Sequence, residues 1–278
     1  MKDSELNALV TLLDDEDTEV TEIAEDRLMR MGADALPILE HRWENTDDYL
    51  LQTRLEELIE RIRLNDLETE LRFWADMESE DLLKGMWIIS RSAYPDYPLE
   101  KLRADFAQMY HEAWTQVGIH GNAIDQVKQL NDYLFRLKGF GPNETDFHLP
   151  ANSLINRVLE TRRGNPITLC VIYLLIAQKL GLPVFGVNLP NIFVLMYRSE
   201  VRDFYINAFN KGVIFMREDL EEYVSQLPIT TQENFFEPCG NLEIIARCLR
   251  NLVVAYGKTH ESRARQLKRM LDIVSAYA

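Results

Sequence analysis

The chain has 278 residues, of which 46% are hydrophobic and 27% charged, a composition typical of a globular protein with a large core. Its formal net charge is −15, and the excess is confined to residues 1–80, which carry 24 acidic and 8 basic side chains against 21 and 22 in the rest. This acidic first third argues against nucleic acid as the main partner, because phosphate binding requires a basic surface.

No apolar run approaches the roughly 20 residues needed to cross a bilayer, and the first residues are polar and acidic rather than typical of a secretory signal. The three cysteines do not suggest a disulfide framework, and Cys239 and Cys248 lack the spacing of a common zinc site. We therefore expect a cytoplasmic protein with no membrane association, no metal and no cofactor.

Residues 1–65 have the apolar spacing of short amphipathic helices. Asp17 or Thr18 is placed to cap the second helix, and Gly32 to end it. The acidic turn, the glycine and the Ala-Leu-Pro that follows resemble a HEAT-type helical repeat. The sequence thus predicts an acidic, helical, HEAT-like segment over residues 1–65, followed by a second domain over residues 66–278.

Helical spacing continues to about residue 137, and a loop follows at residues 140–146. Asn165 and Pro166 suit the start of a long apolar helix, because asparagine caps the first amides and proline fits the first turn. We expect Asn152 and Ser153 to cap the helix before it, or to border a groove with Arg163. After Gly181 the apolar period changes from 3.6 towards 2, which predicts short strands at residues 184–187, 192–197 and 204–206.

Six short motifs are distributed along the chain after about Asp81. They are Tyr94-Pro95-Asp96, Asn131-x-x-Leu134-Phe135, Gly139-Phe140-x-x-Asn143, Arg163-Gly164-Asn165-Pro166-Ile167, Leu189-Pro190-Asn191-Ile192-Phe193 and Ile206-Asn207-Ala208-Phe209. With these motifs the chain resembles the SirB-type transglutaminase-like family from about Asp81 to its end. The resemblance implies a predominantly helical α+β fold, with a papain-like or transglutaminase-like core of a central helix and a small antiparallel sheet at about residues 150–215. It also implies helical N- and C-terminal extensions, the latter over residues 216–278.

An active transglutaminase-like or papain-like site needs cysteine at the helix start, histidine on the next strand and aspartate on the strand after it. By resemblance, those places hold Pro166, Asn191 or Ile192, and Asn207. Proline offers neither a thiol nor an N–H group. SirB-type proteins usually read Leu-Pro-Gly-His-Phe and Ile-Asp-Pro-Phe at the second and third places, so the histidine and the aspartate are also missing.

These losses favour a non-catalytic protein that keeps the fold and binds a protein or peptide partner. The first alternative is a cysteine-dependent hydrolase or acyl transferase that uses a displaced pair, Cys170 as nucleophile and His148 as base. Cys170 lies one helical turn beyond Pro166 among apolar residues, so a buried, inert thiol is the simpler interpretation. A purely structural helical scaffold is the second alternative.

Overall fold

The computed structural model of the protein describes residues 2–118, 122–228, 233–257 and 260–278. They divide into two compact units, Met1–Glu70 and Leu71–Ala278. Helices dominate both units and a small antiparallel sheet lies in the second, so the predicted α+β class is confirmed. The helices are α1 (Lys2–Leu12), α2 (Thr18–Met31), α3 (Leu36–Glu44), α4 (Tyr49–Met77), α5 (Leu82–Arg91), α6 (Leu99–Gln116), α7 (Ala123–Asn131), α8 (Ile155–Thr161), α9 (Pro166–Lys179), α10 (Arg217–Ser225), α11 (Asn241–Tyr256) and α12 (Glu261–Ser275).

The first unit is built around leucines of α1 to α4. Leu13, Leu28 and Leu55 have no exposed surface. Asp17 caps α2 by accepting a hydrogen bond from the amide of Glu19, as the sequence predicts. The helices of this segment are therefore where the apolar spacing puts them, whereas its likeness to a HEAT repeat stays a prediction.

The sheet of the second unit consists of β3 (Val184–Asn188), β4 (Phe193–Tyr197), β5 (Phe204–Asn207) and β6 (Val213–Phe215). It is an antiparallel meander in the order β3-β4-β5-β6, and β4 is buried along its whole length. The three predicted strands are present, and a fourth, β6, is added by a short hairpin. A separate parallel pair, β1 (Gly141–Pro142) and β2 (Arg163–Gly164), was not predicted.

Helix α9 packs against β3 and β4 as the central helix of this unit. It is apolar on all sides and almost wholly buried, as expected for a helix surrounded by other elements. Asn165 is its N-cap and accepts a hydrogen bond from the amide of Thr168, and Pro166 occupies the first turn. Both predictions for this helix start are confirmed.

Asn152 and Ser153 do not cap α8, so that prediction is wrong. They lie in a 3-10 turn, Pro150–Ser153, and the cap position belongs to Leu154, which makes no side-chain capping bond. The two polar side chains are buried and turned inward instead. No helix in the described part of the chain is both long and apolar enough to cross a membrane.

Candidate functional site

A cleft of about 180 Å³ opens at the start of α9. Its walls come from the segment before α8, the start of α9, the turn between β3 and β4, and α11. The last wall lies outside the core predicted at residues 150–215. The lining residues are Phe147, His148, Leu149, Ser153, Asn165, Pro166, Ile167, Asn191, Phe193, Arg247, Asn251, Val254 and Ala255.

Buried hydrogen bonds hold the floor of the cleft. Asn165 Nδ2 donates to Ser153 Oγ over 2.7 Å, while its Oδ1 accepts from both the amide and the hydroxyl of Thr168 at 3.0 Å. The amide of Asn165 also donates to the carbonyl of Asn152. Both side-chain atoms of Asn165 are therefore engaged within the protein, which makes Asn165 a positioning group at the edge of the cleft.

Asn152 is buried beside this network but does not line the cleft. Its Nδ2 donates to the carbonyls of Asp146 and Phe147, and its Oδ1 accepts from Asn143. Asn152 thus fixes the backbone of the segment that carries Phe147 and His148, and its contribution to a binding site is indirect.

By resemblance, either Asn191 or Ile192 stands where the family has histidine. Asn191 lines the cleft and has a φ of 64°, a backbone conformation that asparagine tolerates better than most residues. Ile192 packs instead against the apolar cluster that includes Val187 and Val194. Of these two residues, Asn191 is the one that lines the cleft.

Asn207, at the place of the family's aspartate, lies at the end of β5 and is not among the residues that line the cleft. Its Oδ1 accepts from the amide of Asn210, and its carbonyl accepts from the amide of Gly212. The side chain thus stabilises the β5–β6 hairpin.

Cys170 lies in the interior of α9, is fully buried and does not line the cleft. Its Sγ donates to the carbonyl of Phe193 over 3.6 Å. Burial raises the pKa of this thiol well above its ordinary value of 9.0. A nucleophilic cysteine needs a depressed pKa and access to substrate, and this environment supplies neither.

His148 lines the cleft but is exposed, with its ring edge-on to Phe147 at 5.3 Å between centroids. Arg163 is exposed on β2 and donates from Nη1 to the carbonyl of Gly139 over 2.7 Å, outside the cleft. Of the residues singled out from the sequence, the cleft therefore brings together His148, Ser153, Asn165, Pro166 and Asn191.

Two polar cleft residues of α11, Arg247 and Asn251, were not predicted as site residues. They are four positions apart, and Val254 follows three later, so all three share one helix face. Arg247 also interrupts the apolar residues of this helix, between Ile244 and Cys248. A charged residue within a buried helical stretch is the signal that would have identified it.

Arg247 is half-buried, and its Nη1 donates to Asn188 Oδ1 at 3.2 Å and to the carbonyl of Leu189 at 3.4 Å. Burial lowers the pKa of this guanidinium, and the nearby charge of Arg250 acts in the same direction. Among the described residues, no group of three or more His, Cys, Asp or Glu is placed to hold a metal ion.

Comparison with known proteins gives consistent matches. The family model of the transglutaminase-like superfamily matches residues 100–250. A UPF0162 protein of Xylella fastidiosa is 30% identical over 209 residues, which cover 72% of this chain and 74% of that protein. A UPF0162 protein of Vibrio cholerae is 26% identical over 140 residues, 50% of this chain and 52% of the relative.

A further match is the human F-box only protein 21, which is 31% identical over 105 residues. This stretch is 35% of the present chain and only 17% of the F-box protein. No solved structure gives a significant match.

Proposed function

Since the chain belongs to the transglutaminase-like superfamily, in the SirB-type family that includes the UPF0162 proteins, we propose that it is a non-catalytic member which binds a protein or peptide partner in the cleft at the start of α9. The proposal rests on the side chains at the places where an active transglutaminase-like site has its nucleophile and its base. Pro166 lines the cleft at the first place, and the second is held by Asn191, which also lines the cleft, or by Ile192, which does not. None of these side chains can abstract a proton or attack a carbonyl at neutral pH.

The chemistry of the nearest thiol supports the same proposal. Cys170 is buried within α9, and its hydrogen-bond acceptor is a backbone carbonyl. An imidazole that activates a thiol must lie within hydrogen-bond reach of it. His148 is instead exposed at the mouth of the cleft. The alternative of a Cys170–His148 hydrolase or acyl transferase would therefore require a large rearrangement of α9.

The use of the same region in a longer protein supports a binding role. The stretch shared with F-box only protein 21 is a small part of that protein, so it is combined there with other segments.

We also propose that residues 1–65 form a HEAT-like module, that residues 66–278 form the transglutaminase-like domain, and that the protein acts in the cytoplasm without nucleic acid or a membrane.

Site-specific photo-cross-linking tests this function. Phe147 is half-exposed at the cleft, and Val201 is 95% exposed in the β4–β5 connection, so each can be replaced by p-benzoylphenylalanine in the full chain. We expect a discrete cross-linked partner from position 147 in lysate of the source organism and none from position 201.

A variant with a larger side chain in the cleft shows whether the cross-linked partner binds there. Val254 lines the cleft and is 62% exposed, so Val254→Trp narrows it without a core substitution. We expect Val254→Trp to abolish the cross-link and Val201→Trp to leave it unchanged. Equal cross-linking in both variants would contradict binding in the cleft, and no cross-link from position 147 would favour the purely structural scaffold.

A further inference from the structure

The cleft contains a cation whose hydrogen-bonding capacity is only partly used. A guanidinium has five N–H donors. In Arg247, Nη1 donates both to Asn188 Oδ1 and to the carbonyl of Leu189. Within the described residues, nothing accepts from Nε or Nη2. These two nitrogens form one edge of the guanidinium, and that edge matches the two oxygens of a carboxylate.

Among the cleft residues that the structure describes, none supplies a counter-charge for this cation. His148 and Arg247 are the ionisable residues of the described lining, and neither is acidic. Arginine is almost never fully buried without a partner, because leaving water is costly for an unpaired charge, so an anion would stabilise the half-buried Arg247.

Two side-chain amides increase the number of donors around the same space. Asn191 lies in the turn between β3 and β4, and Asn251 lies one turn after Arg247 on α11. In the part of the chain that the structure describes, neither side chain forms a hydrogen bond with the protein. Each can offer an N–H group to an oxygen that Arg247 holds.

The size of the cleft restricts what can enter it. Pockets for drug-sized ligands occupy roughly 300–1,000 Å³, and this one is smaller, at about 180 Å³. The walls beside the polar groups are apolar and include Leu149, Phe193 and Val254. Such a space suits one side chain with a short hydrocarbon stem and a charged end.

We infer that the cleft recognises an aspartate or glutamate side chain of the protein partner, whose carboxylate binds the Nε–Nη2 edge of Arg247 while its methylene groups contact Leu149 and Val254. The inference rests on the proposed function, because it names the chemical group by which the partner is bound. Asn191 and Asn251 are placed to complete the hydrogen bonds of the carboxylate oxygens.

Titration of the full-length protein with small probes, followed by NMR of the arginine Nε–H groups, tests this site. The probe is N-acetyl-glutamate N-methylamide, and the matched control is N-acetyl-glutamine N-methylamide. The charged probe is expected to shift the Arg247 signal saturably, and the neutral one to leave it in place. Equal shifts with both probes would overturn the inference. So would a response confined to the free acid N-acetyl-alanine, which would point to a terminal carboxylate instead.

The chain provides a matched control residue, because Arg250 is exposed on the same helix. Arg247→Gln is expected to weaken the affinity for the charged probe about tenfold or more, because the variant loses a pair of charge-assisted hydrogen bonds. Arg247→Lys keeps the charge without the bidentate edge and should lie between that variant and the wild type. Arg250→Gln should change affinity less than twofold, and an equal loss in Arg250→Gln would show a general charge effect and overturn the inference.

The cross-linking experiment separates this inference from the proposed function. Equal cross-linking from position 147 in Arg247→Gln and in the wild type would refute carboxylate recognition and leave partner binding intact. Binding of the charged probe without any cross-linked partner would refute the binding function and leave the carboxylate site intact.

Discussion

Asn165 donates from Nδ2 to Ser153 Oγ over 2.7 Å, and this buried bond joins the start of α9 to the turn that precedes α8. The same side chain caps α9 by accepting from the amide of Thr168, so one residue fixes two walls of the cleft relative to each other. These bonds at the cleft are all made by neutral amide and hydroxyl groups.

Replacement of Asn165 by alanine removes the cap of α9 and leaves the Ser153 hydroxyl buried without its donor. Loss of an N-cap costs about 1 kcal/mol, and an unsatisfied buried group costs about 1–3 kcal/mol more. Asn122→Ala is the matched control, because Asn122 caps α7 at an exposed position. Denaturant unfolding should give a loss of roughly 2–4 kcal/mol for Asn165→Ala and about 1 kcal/mol for Asn122→Ala. Equal losses would show that the buried link to Ser153 adds nothing.

Glycine is required at position 212 for two reasons: the backbone has a positive φ, and the side chain of Asn131 lies too close for a Cβ atom. Its φ is 77°, its carbonyl accepts from Asn131 Nδ2 over 2.8 Å, and an added Cβ would overlap the Asn131 amide. Gly139 has a φ of 74° but open space around it. Gly139→Ala therefore isolates the backbone cost of about 1–2 kcal/mol, whereas Gly212→Ala adds overpacking of about 1–3 kcal/mol. Thermal unfolding that ranks the two variants equally would contradict the role of Asn131.

Glu112 makes the fold sensitive to acid. Its hydrogen bond with Lys138 lowers the pKa of the carboxyl below the ordinary value of 4.5, and bonds from Gln108 and Tyr133 act in the same direction. A carboxyl with a lowered folded-state pKa stabilises the protein above its unfolded pKa, and this contribution is lost as the pH falls through the folded value. The free energy of unfolding should therefore decline below about pH 4.5.

Glu112→Gln removes the titrating group, so the decline should be shallower than in the wild type. Lys138→Met removes the main cause of the shift and should have a similar effect. The measurement is the urea midpoint over a series of pH values. Identical acid slopes in all three proteins would refute the assignment.

The sequence allowed the central helix and its surroundings to be predicted because their signals are local. Asn165, Pro166 and the apolar run up to Gly181 mark α9 within a short stretch of chain, and alternation marks three strands. The strand β6 was missed because it has three residues, too few to show a period.

The composition of the cleft was less predictable, because it depends on contacts between distant parts of the chain. Arg247 comes from a helix that begins some distance beyond the sheet, and the packing of α11 against the turn Pro150–Ser153, α9 and β3 brings it to the cleft that Pro166 also lines. The local sequence predicts that Asn152 caps a helix. The side-chain Nδ2 of Asn152 instead donates to the carbonyls of Asp146 and Phe147. This interaction competes with helix capping, and the sequence alone does not reveal it.

The most direct test of the non-catalytic account is the rate of alkylation of Cys170 by iodoacetamide at neutral pH, followed residue by residue with mass spectrometry. Cys248 is an internal control, because it is also fully buried, and Cys239 is a less buried reference whose pKa burial raises to about 12. If the protein is non-catalytic, Cys170 should react no faster than Cys248, and both should react only on unfolding. Rapid labelling of Cys170 in the folded protein, faster than Cys239 and abolished by His148→Ala, would instead show an activated thiol and refute the proposed loss of catalysis.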